Sequence, residues 1–171
     1  MLKRFMIVSL AICIWMASGE SRAKETIELT PDNVVTVWQN INEVILVLSA
    51  NIAMDDEWVD GLRNLQPAAD TTNTAAEMTT FREKLNTLLA SSNLDAVAAP
   101  NDTRDATSVL YVNSGTLLDN LVYYLIDADS LASVAIYYRE EEINGSSSQD
   151  VVAQMSLANQ RLDAFIEESG L

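Results

Sequence analysis

The 171-residue chain contains no histidine, and its single cysteine, Cys13, lies inside an apolar run near the amino terminus. If that run is removed on export, the remainder holds neither residue type, and several chemistries go with them. Disulfides are excluded even in a compartment that permits them. So are the Cys and His sites of zinc, copper, haem and iron–sulfur proteins. Ser-His-Asp and Cys-His catalysis have no base, and di-iron bundles lack the histidine of their Glu-x-x-His ligand pairs. No cofactor is expected. Proline and glycine are scarce, at 3 and 5 residues. Pro31, Pro67 and Pro100 fall between periodic segments and never within one, which leaves long stretches free to be helical. Basic residues are few as well: 10 Lys and Arg stand against 25 Asp and Glu, a net charge of −15. That field repels nucleic acid and anionic membranes and favours basic partners or divalent cations. With 49% apolar residues, the chain still has ample material for a packed core.

What is present begins with an export pattern. Met1-Leu2-Lys3-Arg4 precedes the apolar run Phe5–Ala17, and small residues follow at Ala17, Ser18 and Gly19 and again in Ser21-Arg22-Ala23. This order of basic, apolar and small residues is that of a secretory signal peptide, with cleavage expected after Ala23 and, as the alternative, after Gly19. The run is shorter than the roughly 20 residues needed to span a bilayer. Cys13 is not expected to carry lipid, because Ile12 occupies the place where a small residue is required. Residues 24–171 then form one acidic domain, periplasmic or secreted, without a stable membrane anchor. Loss of the leader removes Lys3, Arg4 and Arg22 but only one acid, Glu20, so the domain is more acidic than the whole chain.

Helical spacing dominates that domain. Thr30 is expected to cap a first helix running from Pro31 to about Ala53, with Asp32 favourable at the positive end of its dipole. Val34, Trp38, Ile41, Ile45, Leu48 and Ile52 recur every three or four residues along it, as a buried stripe requires. A short helix is expected around Trp58, Leu62 and Leu65. A second long helix should start at the capping-box pattern Thr74-Ala75-Ala76-Glu77, bury Met78, Phe81, Leu85 and Leu88, and end near Asn93. Asn101 or Asp102 should cap a third, with Leu110, Leu117, Leu121 and Tyr124 in phase. Asn113-Ser114-Gly115 interrupts that segment and leaves a β-hairpin as the alternative. The phase continues to Ile143, with a bend or break expected near residues 127–130. A last helix is expected from about Gln149 to Glu168, with Val152, Met155, Leu162 and Ile166 inward. The fold class that follows is all-α: an antiparallel bundle of about four long helices plus one or two short ones. An irregular set of five or six helices is the alternative.

Four features are candidate sites. Asp55-Asp56-Glu57-Trp58-Val59-Asp60-Gly61 concentrates acids near a turn, although its glycine and missing final glutamate do not fit a calcium loop. A helix start would carry the same acids for dipole reasons. Asp127-x-Asp129 begins like a calcium loop and fails at Leu131 and Ala132. Glu140, Glu141 and Glu142 are unfavourable at a helix carboxyl end unless a basic group meets them. Tyr123-Tyr124 and Tyr137-Tyr138 suit a core edge or a partner surface. Asn101-Asp102-Thr103 and Asn144-Gly145-Ser146 would be glycosylation acceptors in a eukaryotic secreted protein.

These features point to a non-catalytic protein acting as adaptor, chaperone or inhibitor. It would bind a protein with a basic surface through Tyr137, Tyr138, Glu140, Glu141, Glu142, Asp55, Asp56 and Trp58. Two alternatives stand beside it: a small-ligand or calcium-binding module, and a carboxylate-dependent hydrolase, for which no pair of acids is singled out.

Overall fold

The computed structural model describes residues 28–51, 55–68, 73–104, 106–128 and 143–171. Among them the chain forms five α-helices and no strand: α1 Pro31–Asn51, α2 Asp56–Arg63, α3 Thr74–Ser91, α4 Thr107–Ala128 and α5 Ser148–Ser169. The all-α class is therefore the observed one. The export segment, Ile52, and the tract 129–142 lie outside the described residues, as does the expected bend or break beyond Ala128.

The predicted stripe of α1 is internal: Val34, Trp38, Ile41, Ile45 and Leu48 are fully buried. Val35, Val44 and Leu46 are buried too, because α1 packs against both α4 and α5 and so cannot keep one face wet. Thr30 stands at the cap position of the first turn of α1, and Thr30 O accepts from the Asn33 amide at 3.1 Å. The Asn33 side chain reaches back and accepts from the Thr30 amide at 2.9 Å and from its hydroxyl at 3.2 Å. That is the returning half of a capping box.

The start of α3 differs from expectation by one residue. Asn73 caps it, accepting from the Ala76 amide at 3.1 Å, and Thr74 is the first helical residue and buried. The Thr74–Glu77 capping box fails because Glu77 has a better partner: its carboxylate accepts from Asn159 Nδ2 of α5 at 2.6 Å. Met78, Phe81, Leu85 and Leu88 are buried as the spacing requires. Asn93 closes the helix in the left-handed region (φ 58°), and the Leu94 amide returns to Leu89 O at 2.8 Å.

The largest correction concerns α4, which starts at Thr107 and is not capped by Asn101 or Asp102. Both ends of the preceding loop are engaged elsewhere. Asn86 holds Val97 by two bonds, accepting from its amide at 2.8 Å and donating to its carbonyl at 3.3 Å. The Asp102 carboxylate takes the Arg104 guanidinium, and Asp102 O accepts from Asn113 Nδ2 at 3.0 Å. No hairpin forms at Asn113-Ser114-Gly115, since α4 runs through the triplet unbroken. Each weak helix former there has a distant role. Asn113 pins the loop, and Ser114 accepts from the buried Trp38 indole at 2.8 Å. Gly115 leaves open space beside the helix, where an added Cβ would meet nothing within 4 Å.

The last helix is capped by Ser147 and Asp150, each side chain bonding the other's backbone amide, and ends on Gly170 at φ 70°. It ties the other helices together. The Arg161 guanidinium is buried and donates to Leu62 O (3.1 Å), Arg63 O (3.2 Å) and Asn42 Oδ1 (3.1 Å). A cation is favourable there, because those carbonyls end α2 and carry the negative end of its dipole. Burial still pushes the guanidinium pKa down, opposed by the nearby charge of Glu43. Lys84 of α3 pairs with Asp163 at 2.7 Å and donates to Asn159 O at 3.1 Å. At the centre, Trp38 and Phe81 meet edge to face with ring centroids 5.1 Å apart.

Candidate functional site

Of the eight residues expected to bind a partner, three can be placed. Asp55 is the cap of α2 and accepts from the Glu57 amide at 3.0 Å, and Asp56 is the first residue of that helix. Both are exposed, while Trp58 is half-buried and leans on the core. This acidic cluster builds a helix start. Among the described residues no group of three or more Asp, Glu, Cys or His side chains is arranged to hold a metal ion. Tyr137, Tyr138, Glu140, Glu141 and Glu142 lie outside the described residues. The other tyrosine pair divides, with Tyr124 at 5% exposure in the core and Tyr123 at 56% facing outward.

Tyr123 belongs to a larger feature that the spacing argument passed over. Val112, Thr116, Asp119, Tyr123 and Ile126 succeed one another along α4 at intervals of 4, 3, 4 and 3 residues, so they share one face. Val112 is 63% exposed and Ile126 40%, with Tyr111 beside them at the helix start. Only Asp119 is charged on this face. Large apolar side chains gathered on one exposed face mark an interaction surface more often than scattered single ones do.

The face borders a groove of about 450 Å³ between α1 and α4, lined by Asn33, Thr36, Val37 and Asn40 on one side and by Tyr111, Val112, Gly115, Thr116, Leu118 and Asp119 on the other. Gly115 keeps it open. Val37 and Leu118 are buried beneath it beside the buried Asn40, so its floor is part apolar and part polar. The two walls contain no Lys or Arg anywhere along α1 or α4, whereas Asp32, Glu43, Asp119 and Asp127 all lie on them. Asp32 is held ionised: its carboxylate accepts from the Ser146 amide at 2.7 Å, and its bonds to Ser146 lower the pKa below the usual aspartate value. The site is a trough of mixed lining, with Asp119 at its edge and three further acids on the helices that form it.

The sequence did contain a signal for this face. A helix that buries one stripe does not need Tyr111, Val112, Tyr123 and Ile126 in addition to Leu117, Leu121 and Leu125, and that surplus is legible once the helix is assigned. Its outward direction is not, since an all-round apolar helix is equally compatible with complete burial. The chain matches no family model, no curated protein and no solved structure.

Proposed function

We propose that this chain is an exported, non-catalytic binding protein, an antiparallel helical bundle in its mature form, that receives a basic amphipathic segment of another protein on the face of α4. The observation that carries this is the apolar row Val112–Tyr123–Ile126 beside a groove whose two walls hold acids and no basic residue. Apolar side chains of the partner would fill the trough, and its Lys or Arg would meet Asp119 and the other flanking acids. Apolar burial supplies most of such affinity, and the charges mainly set partner choice and association rate. Periplasmic or secreted location rests on the basic–apolar–small order of residues 1–23. Among the described residues no helix is long and apolar enough to cross a membrane. Tyr137, Tyr138 and Glu140–Glu142 would extend the same acidic, tyrosine-bearing character.

A photo-crosslinking side chain placed at Val112 in the native host tests the proposal against the same group at Glu83, an exposed position on α3. A discrete protein adduct from position 112, absent from position 83 and weakened by a second change, Tyr123→Lys, is the expected result. Equal adducts from both positions, or none, would remove the α4 face from consideration.

A further inference from the structure

On the side of α4 that faces α3, a second cleft has the opposite electrical character. It consists of two adjoining hollows, of about 90 Å³ and about 40 Å³, that share Met78, Arg82, Pro100 and Asn113 as walls. Met78, Val97 and Leu117 are buried, so its deeper side is apolar. Arg82 is half-buried between the hollows. Among the described residues its guanidinium makes no hydrogen bond and no ion pair, which separates it from the other arginines described: Arg63 is paired with Asp60, Arg104 with Asp102, and Arg161 is fully engaged. Arg161 has no acid within ion-pair distance either, but its guanidinium donates to two carbonyls and an amide oxygen, so among the described arginines Arg82 alone has a guanidinium with no partner. The cleft is also rigidly walled. Asn86 fixes Val97 at two points, and Asn113 fixes Asp102 O, so the loop carrying Val97 and Pro100 needs little further ordering to receive a ligand.

We infer that this cleft binds a carboxylate bearing a short branched aliphatic chain, with Arg82 holding the two oxygens and Met78, Val97 and Leu117 enclosing the chain. The chemistry selects this class for three reasons. A guanidinium presents two parallel N–H donors that match a planar carboxylate. One uncompensated cation suits a monoanion, whereas a phosphate would bring more charge into a strongly acidic protein. The larger hollow is small, about 90 Å³, which favours a short aliphatic chain over a bulky one. Among the described residues the second amide hydrogen and the Oδ1 of Asn113 are unclaimed, and these stand ready for a neighbouring polar group such as the amide of a peptide. The ligand can therefore be a free short-chain acid or the carboxyl terminus of a chain ending in a small aliphatic residue. This site is independent of the α4 face, and neither requires the other.

Amide chemical-shift titration of the exported protein with isobutyrate, with isobutyramide, and with acetyl-Gly-Gly-Val as free acid and as amide separates these outcomes. Saturable shifts at Arg82, Val97 and Asn113 are expected from the free acids, with half-saturation near about 1 mM and no saturation by either neutral amide. Arg82→Gln should weaken binding at least about tenfold, the loss of a charge-assisted pair. Arg82→Lys keeps the charge and should restore only part, because the fork is gone. Saturation by the peptide acid alone assigns the site to chain termini; saturation by isobutyrate as well assigns it to the shared group. Failure of both acids to saturate by about 10 mM, equal binding of acid and amide, or binding by Arg82→Gln at the original strength would each overturn the inference. Thermal unfolding of both variants is measured alongside, and Arg82→Lys decides the matter if Arg82→Gln does not fold.

Discussion

The indole nitrogen of Trp38 donates to the Ser114 hydroxyl at 2.8 Å, across 76 residues of chain and with both side chains fully buried. The bond joins α1 to the middle of α4 at the one place where the α4 sequence looks least helical. Ser114→Ala leaves the indole N–H without an acceptor in an apolar interior, which should cost about 1–3 kcal/mol. Trp38→Phe should cost more, since it also opens a cavity against Phe81. The double variant should fall short of the sum of the two single costs, because both remove one shared bond. Urea unfolding followed by circular dichroism measures all three, and strict additivity would show that the bond contributes nothing.

Arg161 joins α5 to the end of α2 and to Asn42 of α1. Arg161→Met should destabilise by about 2–3 kcal/mol, since it strips a charged donor from two carbonyls and an amide oxygen. Arg161→Lys should recover only part, as a point charge cannot reproduce the fork. Hydrogen exchange at the amides of α2 is the local readout. If α2 stays as protected as before, the clamp does not hold that helix.

Gly115 lies within α4 with open space around it, and an added methyl group would meet no neighbour. Gly115→Ala should therefore stabilise by about 0.5–1 kcal/mol through lower chain entropy in the unfolded state. A bulky replacement, Gly115→Trp, should leave the helix folded and fill the groove between α1 and α4. Chemical denaturation checks the first change. Loss of the crosslinked adduct at Val112 checks the second.

Asp32 and Asp150 both have pKa values below the usual aspartate value, caused first by side-chain hydrogen bonds from Ser146 and Ser147 respectively. A depressed folded-state pKa stabilises the fold at pH values above the unfolded value, near 3.9, and that contribution disappears as pH falls through the folded value. The melting temperature of the native protein should therefore exceed that of Asp32→Asn by a constant margin above about pH 5, and the margin should close as pH falls past the unfolded value and through the lowered folded one. A margin independent of pH would mean that the carboxylate charge is not what holds Ser146. Asp102, held at about 2 by the Arg104 guanidinium, should be the last of the three to take up a proton.

By itself the sequence determined the class of the fold, the cores of its helices and the chemistry denied to it. Apolar residues every three or four positions from Val34 to Leu48, from Met78 to Leu88 and from Val152 to Leu162 admit one regular solution, because a helix turn has a fixed length. Histidine chemistry is settled by counting, and cysteine chemistry follows it if the segment that holds Cys13 is removed. The tertiary structure decided the ends of the helices and the direction of their surplus faces. Glu77 could close its own helix or bond Asn159, and Asp102 could cap α4 or pair with Arg104. Such alternatives differ by about 1 kcal/mol, so a distant partner is enough to choose between them. The same holds for the two candidate surfaces. Val112 and Tyr123 face outward because Leu117, Leu121 and Leu125 already fill the interior side of α4. Among the described residues Arg82 stands without a partner because none of their acids is placed beside it. Composition tells how many charges there are, and only folding tells which of them meet.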